Sequence, residues 1–118
     1  MRIALDTEFI EDGQRIYPVS IALVKESGEC LYREFYGVPW EKASEWVLVN
    51  VKPHLSGHPH GRGEIRRDVL EFCGSAPEIW GYYADYDWVL FCQLFGTMME
   101  LPRGFPMYCR DLKQVLDE

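Results

Sequence analysis

Apolar and polar residues alternate from Arg2 to Phe9, with Ile3, Leu5, Thr7 and Phe9 on one side and Ala4, Asp6 and Glu8 on the other. A period of two is that of a half-buried strand. Glu11-Asp12-Gly13 is a turn signal, and the β-branched, apolar stretch from Arg15 to Glu26 predicts a second strand. Ser27-Gly28 predicts a tight turn into a third strand, Cys30 to Tyr36. The chain is therefore expected to open as a three-stranded antiparallel meander.

The period then changes. From about Glu41 to about Leu55, after Pro39, the residues Ala43, Trp46, Val47, Asn50, Val51 and Leu55 follow helical spacing. Ser56 to Gly61 reads as a loop. A second helix follows, with Ile65, Val69, Phe72 and Cys73 on one face and Gly74 past its end. Glu78 to Ala84 predicts a short strand. Asp85 to about Phe95 is apolar nearly all round, which predicts a buried helix ended by Gly96 and Pro102. Phe105 to Cys109 predicts a fifth strand, and Asp111 with Gln114 has the spacing of a capping box. The order βββ, αα, β, α, β, α implies an α/β fold with a mixed five-stranded sheet and flanking helices. The last helix, Leu112 to Glu118, spans only two turns, so a C-terminally shortened domain is expected.

With 118 residues, 47% of them apolar, the chain is expected to form a single domain over 1–118 with one core. No apolar run approaches the roughly 20 residues of a membrane-spanning helix, and carboxylates at Asp6 and Glu8 exclude a secretory h-region. The four cysteines form no Cys-x-x-Cys pair and read as reduced thiols of a cytoplasmic protein. A net charge of −7 excludes duplex binding through an overall positive field. Chemistry on nucleic acid stays open where metal ions neutralise the site.

Asp6-Thr7-Glu8 is the sharpest local feature. Residues two apart on a strand point to the same side, roughly 6.5–7 Å apart along the axis. Two carboxylates then stand together on a strand that Leu5 and Phe9 mark as buried. Unpaired anions beside a core are costly unless a cation compensates them, and oxygen ligands suit Mg²⁺ or Mn²⁺. The same pair at a solvated strand end needs no metal, and the pattern leaves both readings open. Asp87 adds a third carboxylate where a strand passes into a helix, a place the helix dipole also favours by itself. If that strand pairs beside the first, Asp87 faces Asp6 and three carboxylates converge. Such a cluster can hold two divalent ions about 4 Å apart, suited to phosphodiester hydrolysis.

Other features carry weaker signals. Arg62 and Arg66, four apart on and just before the second helix, suit a phosphate backbone or a solvated face with Asp68 and Glu71 as partners. Arg103, Arg110 and Lys113 form a second candidate phosphate contact. His58-Pro59-His60 reads as a solvated loop, and Met98-Met99 as core filler. Phe9, Tyr82, Tyr83, Tyr86 and Trp88 surround the carboxylates, and unpaired bases stack on such rings. Phe9, directly after Glu8, is the foremost of these.

Leu5-Asp6-Thr7-Glu8-Phe9 resembles the first motif of the DEDD (DEDDh) 3′-5′ exonucleases, and Ala84-Asp85-Tyr86-Asp87 their second. Tyr108 to Leu112 resembles the strand-to-helix segment that follows. Three further segments resemble the RNase AS group of polyadenylate-specific 3′-exoribonucleases of mycobacteria and their phages: Asp6 to Gly13, Arg62 to Phe72 and Cys92 to Gly96. The resemblance implies an RNase H-like fold, two Mg²⁺ ions (or Mn²⁺) on Asp6, Glu8 and Asp87 as catalytic and metal-binding residues, and release of nucleoside monophosphates from a single-stranded, adenylate-rich RNA 3′ end. Thr7, Phe9, Arg62, Arg66 and Tyr83 are then the substrate-binding candidates, and a homodimer is implied. The family's third motif, a His followed by a final Asp, finds no counterpart before Glu118. Asp111 reads as an N-cap rather than the missing ligand, and His54, His58 and His60 are not assigned the base role. The alternative is an RNase H-like nucleic-acid-binding module without the fourth carboxylate and the base.

Overall fold

β1 (Arg2–Glu11) lies inside the sheet, flanked by β2 (Ile16–Lys25) on one side and β5 (Glu78–Gly81) on the other. The computed structural model describes residues 1–118. β3 (Cys30–Phe35) completes the expected antiparallel meander, and β1, β5 and β6 (Arg110–Asp111) run parallel. The fold is α/β with a six-stranded mixed sheet in the order β4-β3-β2-β1-β5-β6, consistent with an RNase H-like architecture.

The sixth strand corrects the expected five. β4 (Pro59–His60) lies in the segment read as a loop and pairs parallel with Glu34 and Phe35 of β3. Two residues with no alternation give no strand period, and Pro is tolerated because the strand is at the edge. The last strand is also displaced from its expected place. Phe105 to Cys109 forms no ladder: Gly104 has φ +91°, Pro106 lacks an amide, and pairing begins only at Arg110 opposite Trp80. Phe105 is buried instead among the rings of Phe91 and Phe95.

The expected helix from Glu41 to Leu55 is broken. A 3₁₀ turn at Trp40–Lys42 precedes α1 (Glu45–Asn50), and another at Lys52–His54 follows it. Ser44 adopts an extended conformation and caps α1 by accepting from Val47 N, while Pro53 cannot continue the helical bonding. α2 (Arg62–Cys73) matches its expected face, with Ile65, Val69 and Cys73 buried and Gly74 closing it at φ +70°. α3 spans Asp85–Gln93. Asp111 caps α4 (Leu112–Leu116) as expected, but the reciprocal box lies at Thr97 and Glu100 instead.

Two hydrophobic clusters sit on the two faces of the sheet. The larger packs Ile3, Leu5, Ile21 and Leu23 against Ile65 and Val69 of α2 and Phe91 of α3. The smaller joins Ile10, Val19 and Val51, with Trp40 and Val47 packed against it. Ile10 shares the face of Asp6 and Glu8, so the short α1 layer covers one end of that face and leaves the acidic end open. No helix is long and apolar enough to cross a membrane.

Candidate active site

Strand parity sets the acidic floor. Asp6 lies opposite Ala22 of β2 and Glu8 opposite Ser20, and these two rows continue to Tyr32 and Glu34 of β3. Ser20 and Ala22 are small, so the sheet beside the two carboxylates is not filled. A groove of about 310 Å³ results, lined by Asp6, Glu8 and Tyr32 on its floor and by Asn50, Val51 and His54 on its wall.

Asp87 arrives from the other edge of β1. β5 pairs with β1 only as far as Ala4, and its chain then turns into α3. Past that point the β1 edge is open, and the first turn of α3 fills it. Thr7 donates its amide to Asp87 Oδ1 at 3.2 Å, and its hydroxyl donates to the same oxygen. Asp87 is only 5% exposed and Thr7 7%. Gly81 lets the turn close, since a Cβ there would overlap that of Ala84.

The electrostatics agree with this crowding of like charge. Burial pushes the Glu8 carboxyl above its ordinary value, and the charges of Asp6 and Asp87 push it further. Burial likewise raises Asp87; the Thr7 hydroxyl opposes that shift and the Asp6 charge adds to it. An all-carboxylate donor set under mutual repulsion fits the chemistry of a hard divalent cation. It is not a ready-made cage: no group of three His, Cys, Asp or Glu side chains is spaced to hold a metal ion.

The remaining candidates divide. Phe9 is half-buried and meets Tyr86 edge to face, 5.4 Å between centroids. Tyr83 is exposed beside the carboxylate turn and contacts Tyr82 edge to face. Arg62 sits over the Phe35 ring at 5.7 Å, and Arg66 lies near enough to Glu100 to help hold its carboxyl below the ordinary range, after the bonds that Thr97 donates to it. Neither arginine lines the acidic groove. Arg110 pairs with Glu78 at 3.5 Å and Lys113 with Asp117 at 2.7 Å, so both are engaged locally.

Glu34 is a feature the sequence pattern concealed. It is 4% exposed and accepts from Tyr32 Oη at 2.6 Å, Ser56 N at 2.7 Å and Ser56 Oγ at 2.9 Å. Burial raises its carboxyl, but these donors outweigh burial and hold it below its ordinary value. Tyr32 is exposed over much of its ring, but desolvation of its hydroxyl and the bond to this anion push it up to about 12. The pair ties the groove floor to the segment after α1. Its one sequence signal is an acid at an inward position of a strand, which an exposed edge would equally explain. Asn50 and His54, four apart on the broken helix, reach the groove because the smaller core seats Val51 between them.

No protein-family model matches the chain. Two curated proteins from Mycobacterium tuberculosis, one from strain CDC 1551 / Oshkosh and one from strain H37Rv, are each 38% identical to it, with the match covering 100% of this chain and 75% of theirs. Both are named 3′-5′ exoribonuclease.

Proposed function

The chain belongs to the family of these 3′-5′ exoribonucleases, and on that premise we propose that it removes nucleoside monophosphates from the 3′ end of single-stranded, adenylate-rich RNA, with Asp6, Glu8 and Asp87 at the reacting phosphodiester. Mg²⁺ or Mn²⁺ held by these three carboxylates would polarise the phosphoryl oxygens and acidify a bound water. Thr7 restrains Asp87 through two hydrogen bonds, so that carboxylate is not free to swing away from the strand. The groove beside Asp6 and Glu8 offers Val51 and Leu55 as apolar contacts and Tyr32 and Asn50 as polar ones for a terminal nucleotide. Phe9 and Tyr83 are the rings for stacking the preceding base.

The Thr7–Asp87 contact is the observation that carries this reading. It joins the strand bearing Asp6 and Glu8 to a carboxylate far along the chain, and the resulting like-charge repulsion is what a divalent cation relieves. Four unpaired thiols support a reducing, cytoplasmic compartment. We extend the proposal to a homodimer, which size-exclusion chromatography with light scattering reads directly.

The test uses 5′-labelled oligoadenylate with Mg²⁺. A ladder shortening from the 3′ end, abolished by EDTA and by Asp6→Ala or Asp87→Ala, is expected, with oligouridylate degraded more slowly. A second reading, an RNA-binding module of the same fold, draws on the lack of three side chains spaced for an ion. Tight oligonucleotide binding without shortening would establish that reading instead.

A further inference from the structure

Three backbone amides converge on one carboxylate outside the acidic group. Asp111 Oδ1 accepts from Lys113 N at 2.9 Å and Tyr83 N at 3.1 Å, and its Oδ2 accepts from Ala84 N at 3.0 Å. The Lys113 bond is the N-cap of α4. The other two reach 28 and 27 residues back, into the turn between β5 and α3. That turn holds the one non-glycine residue with positive φ, Tyr83 at 51°. A bulky residue in the left-handed region persists where its surroundings over-determine it. The Tyr83 side chain is 66% exposed, with the Tyr82 ring at 4.9 Å and the Lys113 ammonium at 5.8 Å from its own, so it contributes little of that restraint.

Two observations connect this turn to Asp87. Asp111 pairs with Gly81 at the last rung of the β5–β6 ladder, and Ala84 packs so closely on Gly81 that no Cβ fits there. Ala84 is thus held between Gly81 and the Asp111 carboxylate. Its carbonyl accepts from Trp88 N at 2.8 Å, the first bond of α3, and Asp87 lies within that turn. A shift of Ala84 therefore moves Asp87 relative to Thr7.

We infer that Asp111 is a positioning residue: its carboxylate clamps the Tyr83–Ala84 turn so that Asp87 stays aimed at Thr7 and the Asp6/Glu8 strand. The inference rests on the reading of Asp87 as a site residue. Two oxygens without hydrogens are what the geometry demands. A serine caps α4 with its single oxygen but does not bridge to both turn amides, and an asparagine presents an NH₂ group where an amide must be accepted. Hydrogen bonds from Ala84, Lys113 and Tyr83 hold the Asp111 carboxyl below its ordinary range against some burial, so it is a charged acceptor at neutral pH.

Asp111→Ser keeps the cap and removes the bridge. The expected result is faster amide exchange at Tyr83 and Ala84 with Lys113 still protected, and a kcat on oligoadenylate lower by roughly 10- to 100-fold at a nearly unchanged KM. Adding Tyr83→Asn, which tolerates positive φ, recovers part of that kcat whatever it does to KM. Unchanged exchange at Tyr83 and Ala84, an unchanged kcat, or acceleration spread evenly over all amides each overturns the clamp. If the wild-type chain does not shorten RNA, the exchange measurement alone decides the clamp, and the loss is charged to the nuclease reading.

Discussion

Thr7 and Asp87 stand 80 residues apart in sequence and meet through two hydrogen bonds to one oxygen, from the Thr7 amide at 3.2 Å and from its hydroxyl. Both residues are buried. The contact replaces a ladder bond: β5 has turned away from β1 by that point, and a carboxylate from α3 takes the exposed amide. Each of the two donors offsets part of the cost of burying this anion.

Thr7→Val keeps the shape of the side chain and removes the hydroxyl. It is expected to cost about 1–3 kcal/mol of stability, because Asp87 stays buried with a single donor. Thr7→Ser keeps the donor and is expected to lose much less. Urea unfolding of the two variants measures the difference, and equal losses would show that the hydroxyl is not what holds Asp87.

Gly81→Ala brings a Cβ into that of Ala84 and within 3.5 Å of the Leu5 carbonyl oxygen. The Ala84 Cβ is fixed to its own backbone and cannot rotate aside, so a loss of about 1–3 kcal/mol is expected from overpacking. RNA shortening should fall further than stability does, since the displaced residue leads into Asp87. Thermal melting beside the oligoadenylate assay at a temperature where the variant is folded checks both.

Asp12 governs part of the acid response. Its Oδ1 accepts from Arg15 N at 2.8 Å and Gln14 N at 3.0 Å, and these bonds first, then Tyr17 and Lys42, lower its carboxyl to about 2. A folded-state value below the ordinary 3.8 gives stability that is present above about pH 4 and lost as the pH falls toward 2. Asp12→Ala removes that component, so its unfolding midpoint should decline less steeply than the wild type's between those limits. Parallel acid limbs in urea titrations at several pH values would contradict this.

Phe91 is fully buried and packs on Trp88, Phe95 and Phe105 with centroids 5.3, 5.6 and 6.3 Å away. Phe91→Ala is expected to cost about 3–5 kcal/mol through lost transfer and a cavity. That is a large share of the roughly 5–15 kcal/mol that holds a small domain folded. Phe91→Leu should recover more than half of the loss, read from denaturant midpoints.

The legible parts of this fold are those with a sustained period. β1 to β3 and α2 follow from alternation, turn residues and a helical stripe, and β1 and α2 carry their core faces where the pattern puts them. The illegible parts are short or irregular. β4 and β6 have two residues each, and their strand character comes from the neighbour they pair with rather than from their own side chains. α1 is cut short by Ser44 and Pro53 within a stripe whose spacing suits a longer helix.

Local order along the chain was enough to put Asp6 and Glu8 on one face and Asp87 in the first turn of a helix, because strand and helix periods are properties of neighbours in sequence. Which edge of β1 that helix meets depends on the parallel pairing of β5, a contact between residues more than 70 positions apart that is settled by burial of both partners. The Thr7–Asp87 bond and the grip of Asp111 on Tyr83 and Ala84 follow from that packing, and the open floor beside Ser20 and Ala22 from the register of β2 on β1. Each is a contact between groups whose own sequence neighbourhoods carry no trace of the other.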